Sequence, residues 1–201
     1  MKTLLFQESK LLVVILLVLS IFFKRFAPFF IIIFLLLLYF YRFPDRENLT
    51  QLDENTVVSP ADGRIQSIQK LENGYTRIVI FLNIFDVHTQ WSPVSGEIEN
   101  IEYKEGTFHP AFMLKKSELN ERCVTTIKHP LGIIYVRQIA GLIARRIVNW
   151  FKKNQSVERG EPMGMIKLSS RVDVDLPPKT KIVVKEGDYV YGNKSKLADL
   201  I

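Results

Sequence analysis

The chain has 201 residues, 47% hydrophobic and 24% charged, enough apolar material for one domain with a core plus one further segment, which excludes a disordered chain and a multidomain assembly. One cysteine, Cys123, and three histidines exclude a disulfide framework and a cysteine-based zinc site, so no metal centre is expected. The net charge of +6 sits mostly at the N-terminal end: residues 1–46 carry Lys2, Lys10, Lys24, Arg25, Arg42 and Arg46 against Glu8 and Asp45, while the rest is 21 basic to 19 acidic. That is the pattern of membrane flanks, not of a nucleic-acid surface.

Residues 11–23 are apolar except Ser20, Lys24-Arg25 interrupts, and residues 26–41 are apolar again with one proline, Pro28. A helix crossing the hydrocarbon needs roughly 20 residues, so neither run spans comfortably alone. A signal peptide, two tight spans, and a helical hairpin dipping into one leaflet all compete. No small-residue cleavage site follows the first run and a second run succeeds it, which disfavours the signal peptide. The flanking charge places both outer ends in the cytoplasm, so a domain over residues 47–201 is expected on the cytoplasmic face of the cell membrane, behind a membrane segment over residues 1–46.

Beyond Asn48 the texture changes to short β-type runs between prolines and glycines. Residues 77–87, 124–127, 133–136, 172–176 and 182–184 read as strands. Ile139, Leu142, Ile143, Ile147 and Trp150 recur at helical spacing beside Arg145, Arg146, Lys152 and Lys153, which predicts a helix, either packed on the core or resting on anionic headgroups. Ser59-Pro60-Ala61-Asp62-Gly63-Arg64-Ile65 is echoed by Ser92-Pro93-Val94-Ser95-Gly96-Glu97-Ile98, each copy a turn feeding a strand. The expected fold is therefore mainly β with one or two helices: an antiparallel, barrel-sandwich-like domain with a quasi-repeat, preceded by an N-terminal helical membrane hairpin. Asp62 in the first copy is Ser95 in the second, which leaves Asp62 as turn chemistry or as a functional carboxylate.

From Ile166 the chain alternates: Ile166, Leu168, Ser170, Val172, Val174 and Leu176 fall on one face, and Lys167, Ser169, Arg171, Asp173 and Asp175 on the other. Read as one strand, this makes Ser170 the only polar residue of the buried face. It is either a core serine bonded to a carbonyl or a hydroxyl kept dry because it reacts, and no G-x-S-x-G elbow surrounds it. His88 reads as a strand-end residue, surface or functional; His109 and His129, each before a proline, read as loop residues.

Pro60-Ala61-Asp62-Gly63, Asn83-Ile84-Phe85-Asp86-Val87-His88, Pro93-Val94-Ser95-Gly96, Asn120-Glu121-Arg122, Gln138-Ile139-Ala140-Gly141-Leu142-Ile143-Ala144-Arg145-Arg146 and Gly164-Met165-Ile166-Lys167-Leu168-Ser169-Ser170-Arg171-Val172-Asp173 occur in this order across nearly the whole second domain. Together they resemble the short form of the phosphatidylserine decarboxylase family, and Tyr41-Arg42-Phe43-Pro44-Asp45-Arg46 resembles that family's Phe-Arg-x-Pro-x-Arg segment after an N-terminal hairpin. The resemblance implies a self-made prosthetic group. Ser170 attacks the carbonyl of Ser169, the chain is cut between 169 and 170 into a larger fragment (1–169) and a smaller one (170–201), and the new N-terminus becomes a covalent pyruvoyl group derived from pyruvate. The amine of the phosphatidylserine headgroup then forms a Schiff base with that carbonyl, which takes up the electrons released with carbon dioxide.

The resemblance also implies that Asp62 and His88 activate Ser170, that the two fragments stay partners, and that the substrate is a phospholipid. Self-association is left open. Lys167, Arg171 and Arg137 are candidate phosphate partners, with a merely solvated strand face as the alternative. The chain departs from the family where Ser169 replaces glycine, at Pro110-Ala111 and Leu114-Lys115, and at Trp91, where relatives carry a basic residue. A serine at 169 reaches strained backbone angles only at a cost of about 1–3 kcal/mol. The competing function is a processing-deficient module that binds a lipid or a partner; a carrier domain is weaker, since Met113-Leu114-Lys115-Lys116 imitates a modified-lysine turn poorly.

Overall fold

The computed structural model describes residues 2–3, 7–46, 52–110, 113–141, 146–166 and 170–201. The chain divides into two compact units, residues 1–45 and 46–201. In the first, helices α1 (Gln7–Phe22) and α2 (Ala27–Phe40) flank a 3-10 turn at Lys24–Phe26, and short strands β1 (Lys2–Thr3) and β2 (Arg42–Phe43) pair antiparallel. The break falls on the Lys24-Arg25 interruption, and Pro28 sits in the first turn of α2, where its missing N–H costs no hydrogen bond. Among the described residues no single helix is long and apolar enough to cross a membrane; the two pass together as a pair bent by 119°. Large apolar side chains stand exposed along both, among them Leu11, Phe22, Phe29 and Leu35.

The second unit begins with β3 (Thr56–Val58), β4 (Gly63–Lys70), β5 (Thr76–Leu82), β6 (Thr89–Trp91) and β7 (Gly96–Lys104), followed by a single helical turn, α3 (Leu114–Ser117). Then come β8 (Arg122–His129), β9 (Gly132–Ala140), β10 (Ile147–Asn149), β11 (Ser156–Val157), β12 (Pro162–Ile166), β13 (Ser170–Leu176), β14 (Lys181–Ile182), β15 (Tyr189–Val190) and β16 (Lys196–Asp199). They form an eight-stranded sheet, β11-β7-β8-β9-β13-β5-β4-β15, and two three-stranded sheets, β10-β12-β6 and β14-β16-β3. The architecture is mainly antiparallel β. Alternating apolar residues such as Ile78, Ile80, Ile127, Val136, Val172 and Val174 fill one core.

The repeated turn organises this unit as two equivalent halves. Ser59 Oγ donates to the Ala61 carbonyl and Ser92 Oγ to the Val94 carbonyl, each at 2.7 Å. Val58 N bonds to the Pro93 carbonyl and Trp91 N to the Pro60 carbonyl, so the two turns bind each other. Both strands that follow start on a glycine, because a Cβ at Gly63 would run into the Phe81 carbonyl and one at Gly96 into that of Lys128. Both then bulge at the same place, Ile65/Ser67 and Ile98/Asn100.

Three expectations are corrected. Among the described residues of 139–150 there is no helix: Ile139 lies in β9 and Ile147 in β10, while the predicted Leu142, Ile143 and Arg145 fall outside the described residues. Of the residues whose spacing imitates a helix, Ile139 and Ile147 lie on two different strands and Trp150 follows the second. The strand predicted over 77–87 ends at Leu82, because Asn83 and Asp86 fold the chain over: Phe85 N bonds Asn83 Oδ1 and Asn83 N bonds Asp86 Oδ2. Residues 166–176 are not one strand either: Ile166 belongs to a three-stranded sheet and Ser170 opens the central strand of the eight-stranded one.

Candidate active site

Asp62 sits in the first turn with its side chain 6% exposed. Its Oδ1 accepts from Gly192 N at 2.8 Å, and Arg46 holds both oxygens, Nη1 to Oδ1 at 2.5 Å and Nη2 to Oδ2 at 2.7 Å. In the second half Ser95 Oγ accepts from Arg159 N at 3.0 Å in the same manner. The turn therefore needs only one neutral acceptor, and the second oxygen and the charge of Asp62 exceed what the fold requires.

His88 is fully buried just ahead of β6, and its Nδ1 lies 2.9 Å from the Asp86 carbonyl. A carbonyl cannot donate, so Nδ1 carries the proton and, in the neutral ring, Nε2 bears the lone pair. The Asp62 carboxylate does not set this tautomer: its hydrogen bonds among the described residues go to Arg46 and Gly192, while a backbone carbonyl orients the ring. Asp86 is pinned in turn by Tyr189, whose Oη donates to Oδ1 at 2.6 Å. Burial and the Asp86 carboxylate push the Tyr189 phenol up, so it stays a donor at neutral pH.

Ser170 is fully buried at the head of β13, paired with Leu82 of β5 on one side and Ala140 of β9 on the other. Its Oγ has no hydrogen-bond partner among the described residues. An unpaired buried hydroxyl costs about 1–3 kcal/mol, so an ordinary core serine would be bonded to a nearby carbonyl. The Ile166 amide, four residues earlier, bonds the His88 carbonyl at 3.2 Å, which ties the segment leading into Ser170 to the histidine. A pyruvoyl group fits here: it would be made from Ser170 itself, and making it requires a dry, uncommitted hydroxyl.

The second half serves as an internal control. His88 corresponds to Asn55, whose carbonyl accepts from Leu200 N as that of His88 accepts from Ile166 N. Ser170, opposite Leu82, corresponds to Gly132, opposite His129. Carboxylate, imidazole and hydroxyl are thus Ser95, Asn55 and Gly132 in the other copy of the same framework. The reactive types belong to one half only.

Lys167 and Ser169 lie outside the described residues. Arg171 and Arg137 do not form a solvated basic face. Arg171 is buried, with Nε and Nη2 on Asp173 at 2.6 Å, Nη2 also on Glu118 and Nη1 on Ser117 and the Leu114 carbonyl. Burial pushes the Asp173 carboxyl up against the pull of Arg171. Arg137 is paired with Asp175, which also accepts from Arg77, and pairs in register with Asp173, three residues along β13 and about 10 Å from Ser170 at strand rise. Both arginines are therefore occupied by buried carboxylates. His129 closes β8, its Nδ1 accepting from Leu131 N, and His109 is a loop residue held by Asn120. Of the residues shaping the site, Arg46, Asp86 and Tyr189 were given no role from sequence, although Arg46 and Asp86 each stand in a motif that carries the family resemblance.

Residues 33–198 match the family model for phosphatidylserine decarboxylase. A phosphatidylserine decarboxylase proenzyme of Azorhizobium caulinodans is 45% identical over 169 residues, 80% of this chain and 72% of the relative. Proteins of the same name from Carboxydothermus hydrogenoformans and Xanthobacter autotrophicus are 40% identical (77% of this chain, 75% of the relative) and 41% identical (80% and 72%).

Proposed function

This chain belongs to the phosphatidylserine decarboxylase family, and we propose that Ser170 is the residue at which it cuts itself to become active. The enzyme converts phosphatidylserine to phosphatidylethanolamine and carbon dioxide. The observation that carries the assignment of Ser170 is its buried Oγ, without a hydrogen-bond partner among the described residues, at the head of the central strand.

His88 Nε2 takes the proton from Ser170 Oγ, which adds to the Ser169 carbonyl; the 169–170 C–N bond breaks, the nitrogen of Ser170 is protonated and an ester remains. Loss of the Ser170 α-proton expels the ester as the carboxylate of fragment 1–169. Water then replaces the nitrogen of the dehydroalanine left on fragment 170–201, releasing ammonia and leaving a pyruvoyl end. That group supplies a carbonyl electron sink for the pair freed when carbon dioxide departs. Burial of Ser170 and His88 keeps bulk water from the ester, and His88 returns a proton to the decarboxylated carbon.

The substrate reaches this end of the sheet from a lipid surface. Ile84 and Phe85, on the loop between β5 and His88, stand exposed, as do Met113 and Leu119 around α3, whose Leu114 carbonyl is bound by the neighbour of Ser170. Lys115 and Lys116 are exposed on that turn, and with Arg171 and Arg137 occupied they are the candidates for the headgroup phosphate. The exposed apolar helices of the first unit serve as the membrane anchor, with the catalytic unit on the cytoplasmic side.

Denaturing mass spectrometry of the purified chain tests the assignment: fragments 1–169 and 170–201 are expected, the smaller with a blocked, pyruvoyl-type N-terminus, and Ser170→Ala stays whole and inert. Full decarboxylation by an uncut chain would remove Ser170 from the mechanism. An uncut chain that binds phosphatidylserine without releasing carbon dioxide would support the processing-deficient binding module instead.

A further inference from the structure

We propose that Arg46 is a positioning residue for self-cleavage, fixing the Asp62 carboxylate in the plane and distance from β6 that maturation needs. This rests on the role that the family resemblance implies for Asp62, activation of Ser170 together with His88. The guanidinium has four partners: the two oxygens of Asp62, the Gly192 carbonyl, and the face of the Trp91 ring, 4.5 Å from its centroid. The side chains of the ion pair are only 7% and 6% exposed. A fork-to-fork pair of this kind sets an orientation that a single bond leaves free.

The internal repeat shows that the turn does not require the pair. In the second half Ser95 accepts one backbone N–H through a neutral hydroxyl, and the turn still forms, bulges and pairs identically. Removing two charges from water without structural need costs free energy, so the pair is best explained by what it positions. Trp91 closes the link to the histidine. Its N–H bonds the Pro60 carbonyl, two residues before Asp62, and its strand β6 starts at Thr89, directly after His88. By stacking on Trp91 while gripping Asp62, Arg46 sets the register between the segments that carry carboxylate and imidazole. It also accounts for the aromatic residue at 91, which gives the guanidinium a surface to lie on.

Arg46 opens the second unit, one residue after the helical unit ends. The chain thus carries a maturation determinant at the junction of its two parts, far in sequence from the bond that is cut.

The test is the rate at which fragment 170–201 appears from full-length, freshly translated chain. Arg46→Gln should slow it between about ten- and a hundredfold, the scale of a small misplacement of a reacting group, and Arg46→Lys should recover part of the loss. In Arg46→Gly, guanidinium ion added at sub-denaturing concentration should restore cleavage, a rescue that a merely structural loss would not show. Cleavage of Arg46→Gln at the parent rate, or failure of guanidinium to restore the glycine variant, overturns the proposal. Absence of the fragment from the parent chain overturns the maturation reading itself, and this proposal with it.

Discussion

Asp62 and Ser95 occupy the same position in two copies of one turn, and what separates them is a charge. Asp62→Ser alone would strand Arg46 as an unpaired buried cation, so the informative variant combines it with Arg46→Gln and rebuilds the neutral turn of the second half. This double variant is expected to melt close to the parent while fragment 170–201 appears at least about a hundredfold more slowly, the lower range for loss of acid–base assistance. Normal fragment yield would remove Asp62 from the reaction. At this scale Ser170, Asp62 and His88 could be nominated from the sequence because each stands in a quoted motif, as Arg46 does at the end of another. Their contacts could not be read. A backbone carbonyl as the acceptor of His88 Nδ1 leaves no trace in residue type, and Arg46 and Tyr189 reach their partners from 16 and 103 positions away.

At the scale of elements, the quasi-repeat was readable because its turns demand proline and glycine at fixed offsets, and it carries the symmetry of the whole β unit. The stretch around 139–150 misled because Ile139 and Ile147, eight residues apart as on one helix face, belong to two different strands. Strand β13 misled in another way: alternation implies one wet face, yet all seven of its residues are buried, and the face of Arg171, Asp173 and Asp175 is closed by Arg77, Arg137, Glu118 and α3. Such a closed ionic layer punishes removal of one partner. In a Ser170→Ala background, which keeps the chain whole, Arg171→Met should lower unfolding free energy by about 3–5 kcal/mol, because the fully buried Asp173 loses its two-pronged partner and keeps only Arg77, 4.0 Å away. Arg171→Met with Asp173→Leu should return most of it. Chemical denaturation measures both, and an unchanged midpoint for the single variant would show that the pair contributes nothing.

For the molecule as a whole, the division into residues 1–45 and 46–201 separates an apolar helical pair from a unit with its own core. A chain beginning at Arg46 is therefore expected to melt cooperatively and to stay in the supernatant when membranes are sedimented, whereas the full chain goes with the pellet; sedimentation of both with membranes would move the anchor into the second unit.

The strand order also fixes what a cut before Ser170 would leave behind. Residues 170–201 supply β13 between β9 and β5, β15 beside β4, and β14 and β16 beside β3. The two products would be interleaved through two sheets rather than docked face to face, so no dilution could part them short of global unfolding. A break in covalent continuity at the centre of the sheet would therefore cost the enzyme none of its integrity, and the event would be irreversible by construction.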